Sequence, residues 1–292
     1  MSEDPFVTHR SLLFTVAYEM LGSAADAEDV IQESWLRWDG VDKSEVRDPR
    51  AYLVRIVTNQ SLSRLRSLAR RREDYFGEWL PEPLLTTPDV AEDVELADSI
   101  SMAMLTVLET LSPTERAVFV LREVFDLPYD EIAEAVGKSA PAVRQIAHRA
   151  RGHVSARRPR SAVSRTEQQQ VVALFIDAIR GGDLQPFLDA LAPDVVFISD
   201  GGGQRVAVPV PVEGSERVGR LIGRFGLFIR RQDRVELTVV EVNGSLGIRL
   251  DVDGVLEAVM TPVVEDGRIT KVYAMRNPQK LGRLDEAIQL AR

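Results

Sequence analysis

The chain has 292 residues, 45% apolar and 28% charged, with a net charge of −9. Such a length suits two or three small domains, and the balance of apolar and charged residues excludes a disordered chain. Cysteine is absent and only His9, His148 and His153 supply imidazoles, so disulfides, thiol nucleophiles and thiolate zinc sites are excluded and a histidine-built metal centre or triad is disfavoured. No apolar run approaches the ~20 residues of a membrane helix, and the opening MSEDPFVTHR lacks the basic start of a signal peptide. The expectation is a cytoplasmic protein without a membrane segment.

In chain order, Leu12, Leu13, Val16, Ala17, Met20 and Leu21 recur at helical spacing and Gly22 ends the run. Ser23 is placed to cap a helix with Ala27, Val30, Ile31, Trp35 and Trp38 on its apolar face, while Asp26, Asp29 and Glu33 form an acidic stripe opposite. Asp48-Pro49 is a strong helix start, because Asp accepts from orphan amides and Pro lacks only an N–H that had no partner. The helix that follows gathers Leu53, Ile56, Val57, Leu65 and Leu68 on one side and Arg55, Asn59, Arg66 and Arg70 on the other.

An acidic, proline-containing stretch follows from Asp74 to Pro88, containing Trp79-Leu80-Pro81-Glu82-Pro83. Its prolines would stiffen a plain spacer. Trp79 and Leu80 are unfavourable to expose in a tether, so they are expected to be buried against another surface.

Helical periodicity resumes near Asp93, and Ser112-Pro113-Thr114-Glu115 reads as a cap, a first-turn proline and an early acid. A short helix from Tyr129 to Val136 ends at Gly137, and Ser139 is placed to cap a second helix with Pro141 in its first turn. Ile132, Ala133, Val136, Val143, Ile146 and Ala150 supply a shared core, the spacing of a helix-turn-helix. Arg144, Gln145, His148, Arg149 and Arg151 occupy the polar face of the second helix, as reading a major groove requires. An ordinary amphipathic hairpin is the competing reading, and the acid-free face argues against it.

After Arg160 the pattern changes. A helix from Thr166 to Arg180, an apolar stretch from Leu184 to Leu191, a strand at Val195 to Ile198 and a helix-like segment from Gly214 to Arg231 are followed by strands joined at Asn243-Gly244, Asp253-Gly254 and Asp266-Gly267. These predict a multidomain chain, all-α at first and then α+β with a curved antiparallel sheet. The boundary is expected within Arg158-Pro159-Arg160-Ser161. Charge follows this organisation: residues 47–72 and 138–160 are strongly basic, and the intervening chain is acidic. Two basic surfaces on an acidic protein suggest two contacts with a polyanion.

Three stretches carry a resemblance to the extracytoplasmic-function sigma factors of bacterial RNA polymerase. DAEDVIQESWLRW resembles the part of sigma domain two that docks on the polymerase β′ clamp helices. RAYLVRIVTNQSLSRLRSLARRRE is similar to the part that captures the −10 element, and LSPTERAVFVLREVFDLPYDEIAEAVGKSAPAVRQIAHRARG to sigma domain four, which reads the −35 element. The remainder resembles a subgroup with a fused SnoaL-like domain of the nuclear-transport-factor-like fold. Its marks are WLPEP, complete here, a DGGGK-type loop, here Asp200-Gly201-Gly202-Gly203-Gln204, and an NPDKL-type motif, here Asn277-Pro278-Gln279-Lys280-Leu281. Gln204 and Gln279 depart from the pattern.

The resemblance implies sigma domain two over 1–73, an acidic linker over 74–98, sigma domain four over 99–160 and a SnoaL-like regulatory domain over 161–292. It implies a polymerase contact through Asp26, Asp29, Gln32, Glu33 and Trp35, a further contact with the β flap, and −10 phosphate binding by Arg55, Asn59, Arg66 and Arg70. For the −35 element it implies Ser139, Arg144, Gln145, His148, Arg149 and Arg151. Core polymerase and promoter DNA are the expected partners, with no cofactor or metal. The fused domain is expected to contact the sigma core and linker, with Trp79 and Leu80 buried near Asp200 or Asn277. An alternative keeps that domain as a ligand-sensing or catalytic pocket; it lacks His and Cys, and carboxylates such as Asp177 and Asp194 form no recognisable pair.

Overall fold

The computed structural model describes residues 4–73, 75–87, 89–90, 93–158, 163–284 and 287–291, with backbone alone over 69–73. The expected boundary at 158–161 falls largely outside the described residues. A short α1 (Pro5–Thr8) leads into α2 (Arg10–Leu21), α3 (Ala24–Asp39) and α4 (Pro49–Glu73), the first helical unit. Gly22 stops α2 in the left-handed region at φ 67°, and the Ser23 hydroxyl accepts from the Asp26 amide at 3.2 Å. The Asp4 carboxylate accepts from the Phe6 amide at 2.9 Å, the Trp38 indole at 2.9 Å and Lys43 at 2.7 Å, fastening α1 to α3.

Although α2 reads as one-sided in sequence, every residue from Leu12 to Leu21 is buried, including Thr15, Tyr18 and Glu19. Its polar side meets a second helical unit: α5 (Val94–Ile100), α6 (Met102–Leu108), α7 (Pro113–Phe119) with a π-turn over Val120–Val124, α8 (Tyr129–Val136) and α9 (Ala140–Ser155). One hydrophobic core runs through both units, from Phe6 and Trp38 to Val143 and Val154, and takes in Leu290 from the C-terminal tail. Helix α5 begins inside the stretch expected to be linker.

Buried polar groups mark this junction. Arg116 donates to the Glu19 carbonyl at 2.8 Å and pairs with Glu109 at 2.6 Å. The Glu19 carboxyl is left with the Ser99 hydroxyl at 2.8 Å, which also lies 2.9 Å from the Leu96 carbonyl. One hydroxyl proton cannot serve both acceptors, and a protonated Glu19 resolves the conflict by donating to Ser99. Burial pushes the Glu19 carboxyl up to about 8, against the opposing effects of Ser99 and Arg116. A carboxyl whose folded value is raised stays protonated in the fold while the unfolded chain ionises, so the contribution of Glu19 to stability is fullest below about pH 4.5 and is lost up to about pH 8. The slope attributable to Glu19 is at most about 1.4 kcal/mol per pH unit. Glu19→Gln is expected to flatten the decline in urea-unfolding free energy between pH 5 and 8; an unchanged slope would refute the assignment.

The C-terminal domain places α10 (Arg165–Arg180), α11 (Gln185–Ala190) and α12 (Ser215–Ile229) on one face of a six-stranded sheet. Its strands are β1 (Leu191–Asp200), β2 (Val212–Glu213), β3 (Val235–Val242), β4 (Ser245–Val252), β5 (Val255–Glu265) and β6 (Arg268–Met275), in the order β2-β1-β6-β5-β4-β3. All three expected hairpins form. Asn243-Gly244, Asp253-Gly254 and Asp266-Gly267 each take positive φ at both residues, the geometry of a type I′ turn. Register shifts at Leu250/Asp251 and Val263/Val264 bend the long strands.

The sheet is mixed, which corrects the expectation of an antiparallel one: β1 and β6 pair in parallel. No hairpin signal could announce this contact between strands separated by most of the domain. Its consequence is positional. Asp200 and Met275 are register partners at the ends of β1 and β6, so the segments that follow, Gly201-Gly202-Gly203 and Asn277-Pro278-Gln279-Lys280-Leu281, leave the sheet side by side.

Candidate functional site

Two motifs far apart in sequence thus close on the linker. Asp200 is buried, and its carboxylate accepts from the Tyr75 hydroxyl at 2.5 Å, the Leu80 amide at 3.0 Å, the Gly202 amide at 3.0 Å and the Lys280 ammonium at 2.7 Å. Lys280 also donates to the Leu80 carbonyl at 2.6 Å and sits 3.2 Å from the centroid of the Trp79 ring. The Trp79 and Tyr75 rings meet edge to face at 4.9 Å. Burial and the neighbouring Asp200 charge raise the Tyr75 phenol, keeping it a donor. Asn277 caps α13 (Pro278–Leu281) by accepting from the Gln279 amide at 3.0 Å, and donates to the Tyr75 hydroxyl at 2.8 Å. Glycine is required at 202: φ is 60°, and a Cβ would overlap the Asn277 amide. Gly201 lies against the Arg205 carbonyl and Gly203 against Phe76. Leu80 packs with Leu281, Met275 and Tyr273 on the outer face of the sheet, together with Met102 of α6.

The rest of WLPEP faces the first helical unit. The Glu82 amide donates to Gly22 O at 2.8 Å, and the Glu82 carbonyl accepts from Tyr18 at 2.7 Å. Its carboxylate accepts from Ser23 at 3.0 Å and the Ala25 amide at 3.2 Å, at the N-terminus of α3 where an anion is favoured. Burial raises this carboxyl, and the α3 amide and Ser23 oppose the shift. Pro81 and Pro83 are buried with it. Beyond them Leu85 pairs with Val242 on the sheet edge and Thr86 with Ile288 of the C-terminal tail, so the linker lies between edge strand and tail.

Asn243, at the tip of the β3–β4 hairpin, joins three parts of the chain. Its side chain accepts from the Leu84 amide at 2.9 Å and donates to Tyr18 at 2.7 Å and the Ile100 carbonyl at 2.8 Å. In the sequence Asn243 registers only as a turn residue. Its insertion at the junction is a tertiary fact, as is the role of Tyr75, which stands just outside the motif.

The expected nucleic-acid and polymerase residues are distributed less simply. On α9 Arg144, Gln145, His148 and Arg149 are exposed along one face. Arg151, expected with them, instead chelates Glu123 at 3.0 and 2.7 Å, bracing α9 to the π-turn. Ser139 stands at the N-cap of α9 but its side chain makes no cap hydrogen bond. On α4 Asn59 and Arg66 are exposed, and the Arg70 side chain lies outside the described residues. Arg55 stacks on Tyr52 at 5.0 Å and pairs with Glu134 of α8 at 3.5 Å. Glu131 and Glu134 line one groove with Val41, Val46, Arg47 and Arg55, so the second helical unit covers this end of α4.

The acidic stripe divides as well. Arg64 of α4 holds Asp26 at 2.8 Å and Asp29 at 2.6 Å, leaving Glu33 exposed. Gln32 and Trp35 line a separate groove with Phe6, Val7 and the exposed Leu36. No helix among the described residues is long and apolar enough to cross a membrane, and no His/Cys/Asp/Glu cluster among them could hold a metal ion.

The family models for Sigma-70 region 2 and Sigma-70 region 4 match residues 6–71 and 101–154. The two helical units are therefore the promoter-reading class of module found in transcription initiation factors. The chain is 37% identical over 295 residues to the ECF RNA polymerase sigma factor SigJ of Mycobacterium tuberculosis, covering 96% of this chain and 93% of the relative. It is 32% identical to the probable sigma factor SigI of that organism, covering 94% and 93%. The crystal structure of the Mycobacterium tuberculosis SigJ protein aligns with a TM-score of 0.76 at 34% identity, covering 96% of this chain and 98% of that one. The chain belongs to the ECF RNA polymerase sigma factors, alternative sigma factors that direct transcription initiation.

Proposed function

We propose that the C-terminal domain acts as an intramolecular clasp, holding the linker and both sigma modules in a closed arrangement that must open before the −10 and −35 elements are bound together. The supporting observation is the placement of Arg55, a −10 candidate, against Glu134 of the helix-turn-helix unit, at 3.5 Å. An exposed pair of this kind contributes about 0–1 kcal/mol, so it marks the closed state without holding it. Holding falls to the shared core, the Asp200 clasp and Asn243. In the open form Arg55, Asn59 and Arg66 bind phosphates of the −10 region, and Arg144, Gln145, His148 and Arg149 face the −35 groove. The β′ clamp helices dock beside Gln32, Trp35 and the exposed Leu36. The domain regulates rather than catalyses in this reading: its buried carboxylate Asp200 is engaged by the linker, and it has no His or Cys.

Because the chain has no cysteine, the closed state can be locked selectively. The double variant Arg55→Cys/Glu134→Cys is expected to lose most of its remaining promoter-directed run-off transcription with core polymerase when bridged by a short bismaleimide, relative to the same variant left unbridged. Equal transcription by the two forms would sink the reading.

A further inference from the structure

A cavity of about 910 Å³ opens into the C-terminal domain between α12 and the inner face of the sheet, near the upper end of the range for small-molecule sites. Its floor is apolar, formed by residues such as Phe197, Leu250, Met260 and Ala274. Its rim carries Val206, Phe228 and Val255, which are 86%, 53% and 54% exposed, a grouping of large apolar side chains in open solvent. Charge is concentrated on one side. Arg205 lies 2.8 Å and Arg276 3.4 Å from the same carboxylate, Glu257, so two guanidiniums share one anion. Arg224, also lining the cavity, has no ion-pair partner among the described residues.

The cavity lies one sheet thickness from the clasp. Side chains alternate along strands: on β5 Met260 lines the cavity while Val259 packs with Leu80, and on β6 Ala274 lines it while Tyr273 and Met275 pack with Leu80. Both strand ends repeat the pattern, with Ser199 in the cavity and Asp200 in the clasp, then Arg276 in the cavity and Asn277 in the clasp. Arg276 also donates to the Val206 carbonyl, tying β6 to the loop after Asp200.

We infer that this cavity binds an amphiphilic small molecule with an apolar body and one anionic group received by Arg205 and Arg276, and that its binding loosens the linker clasp. An anion beside Glu257 recruits Arg276 from the Val206 carbonyl and re-aims the segments that begin at Asp200 and Asn277. The second step rests on the proposal that the clasp regulates; the binding step does not.

The test uses the full chain, with dodecanoate as probe and displacement of the fluorescent aromatic anion 1-anilinonaphthalene-8-sulfonate as readout. The expected result is saturable displacement at one site, with dodecanoate binding at least about tenfold weaker in Leu221→Trp, which fills the cavity, and in Arg205→Gln, which removes a charged donor. Dodecyltrimethylammonium is expected not to compete. Binding by Leu221→Trp equal to wild type, or competition by the cation equal to that by dodecanoate, would overturn the site. At saturation, amide hydrogen exchange over residues 75–86 is expected to quicken; no change there would overturn the coupling. Failure of the clasp proposal is read separately, because the bismaleimide lock is assayed without any ligand.

Discussion

Asp200→Asn is expected to lower the unfolding free energy by about 3–5 kcal/mol, because it removes a buried carboxylate that is ion-paired with the buried Lys280 ammonium. Lys280 and Asp200 side chains are only 8% and 0% exposed, so solvent cannot replace the lost partner. The reciprocal change should be milder. After Lys280→Met the Asp200 carboxylate still accepts from Tyr75, the Leu80 amide and the Gly202 amide, whereas Asp200→Asn sets a neutral amide before Lys280 and turns an NH2 donor toward groups that themselves donate to this position. The double variant Asp200→Asn/Lys280→Met should recover much of the loss, since removing both charges also removes their desolvation. Urea unfolding of the three variants measures the cycle. A loss for Asp200→Asn no larger than for Lys280→Met would show that Asp200 is not the anchor of the clasp.

This asymmetry depends on an arrangement that was only half legible in the sequence. The helix-turn-helix could be read because its signals are local: Gly137 takes φ 67°, the apolar positions of α9 are buried and its polar face is exposed. The three hairpins were legible for the same reason, since a type I′ turn is encoded by adjacent residues. The parallel pairing of β1 with β6 has no local code, yet it brings Asp200 beside Asn277. Charge patterns do not show partners: Arg64 holds both Asp26 and Asp29 of the acidic stripe, and Glu123 chelates Arg151 of the basic face. Helical periodicity likewise could not show that the polar side of α2 would be covered by a second unit, with Glu19 buried there.

The largest effect on cooperativity is expected from Asn243. Its side chain is fully buried, and its amide serves the linker through Leu84, the first helical unit through Tyr18 and the second through Ile100. Asn243→Ala orphans the Leu84 amide and the Ile100 carbonyl, at about 1–3 kcal/mol each, while Tyr18 keeps its bond to the Glu82 carbonyl. Alanine must also adopt φ 53°, which adds about 1–2 kcal/mol. The sum, about 3–8 kcal/mol, is an upper range because neighbouring losses are not additive. Asn243→Gly separates the two contributions: glycine tolerates the backbone, so it should be less destabilising than alanine by about the strain alone. Asn243→Asp is expected to behave worse than glycine, for it turns a carboxylate oxygen toward the Ile100 carbonyl at a fully buried position. If the hairpin tip couples the three parts, these variants should split urea unfolding into separate transitions for the helical half and the C-terminal domain, monitored by tryptophan fluorescence and by hydrogen exchange in β4 and β5. All three tryptophans lie in the first half of the chain, so fluorescence follows that half. A single transition at the wild-type midpoint in Asn243→Asp would mean that the coupling resides in the shared hydrophobic core instead.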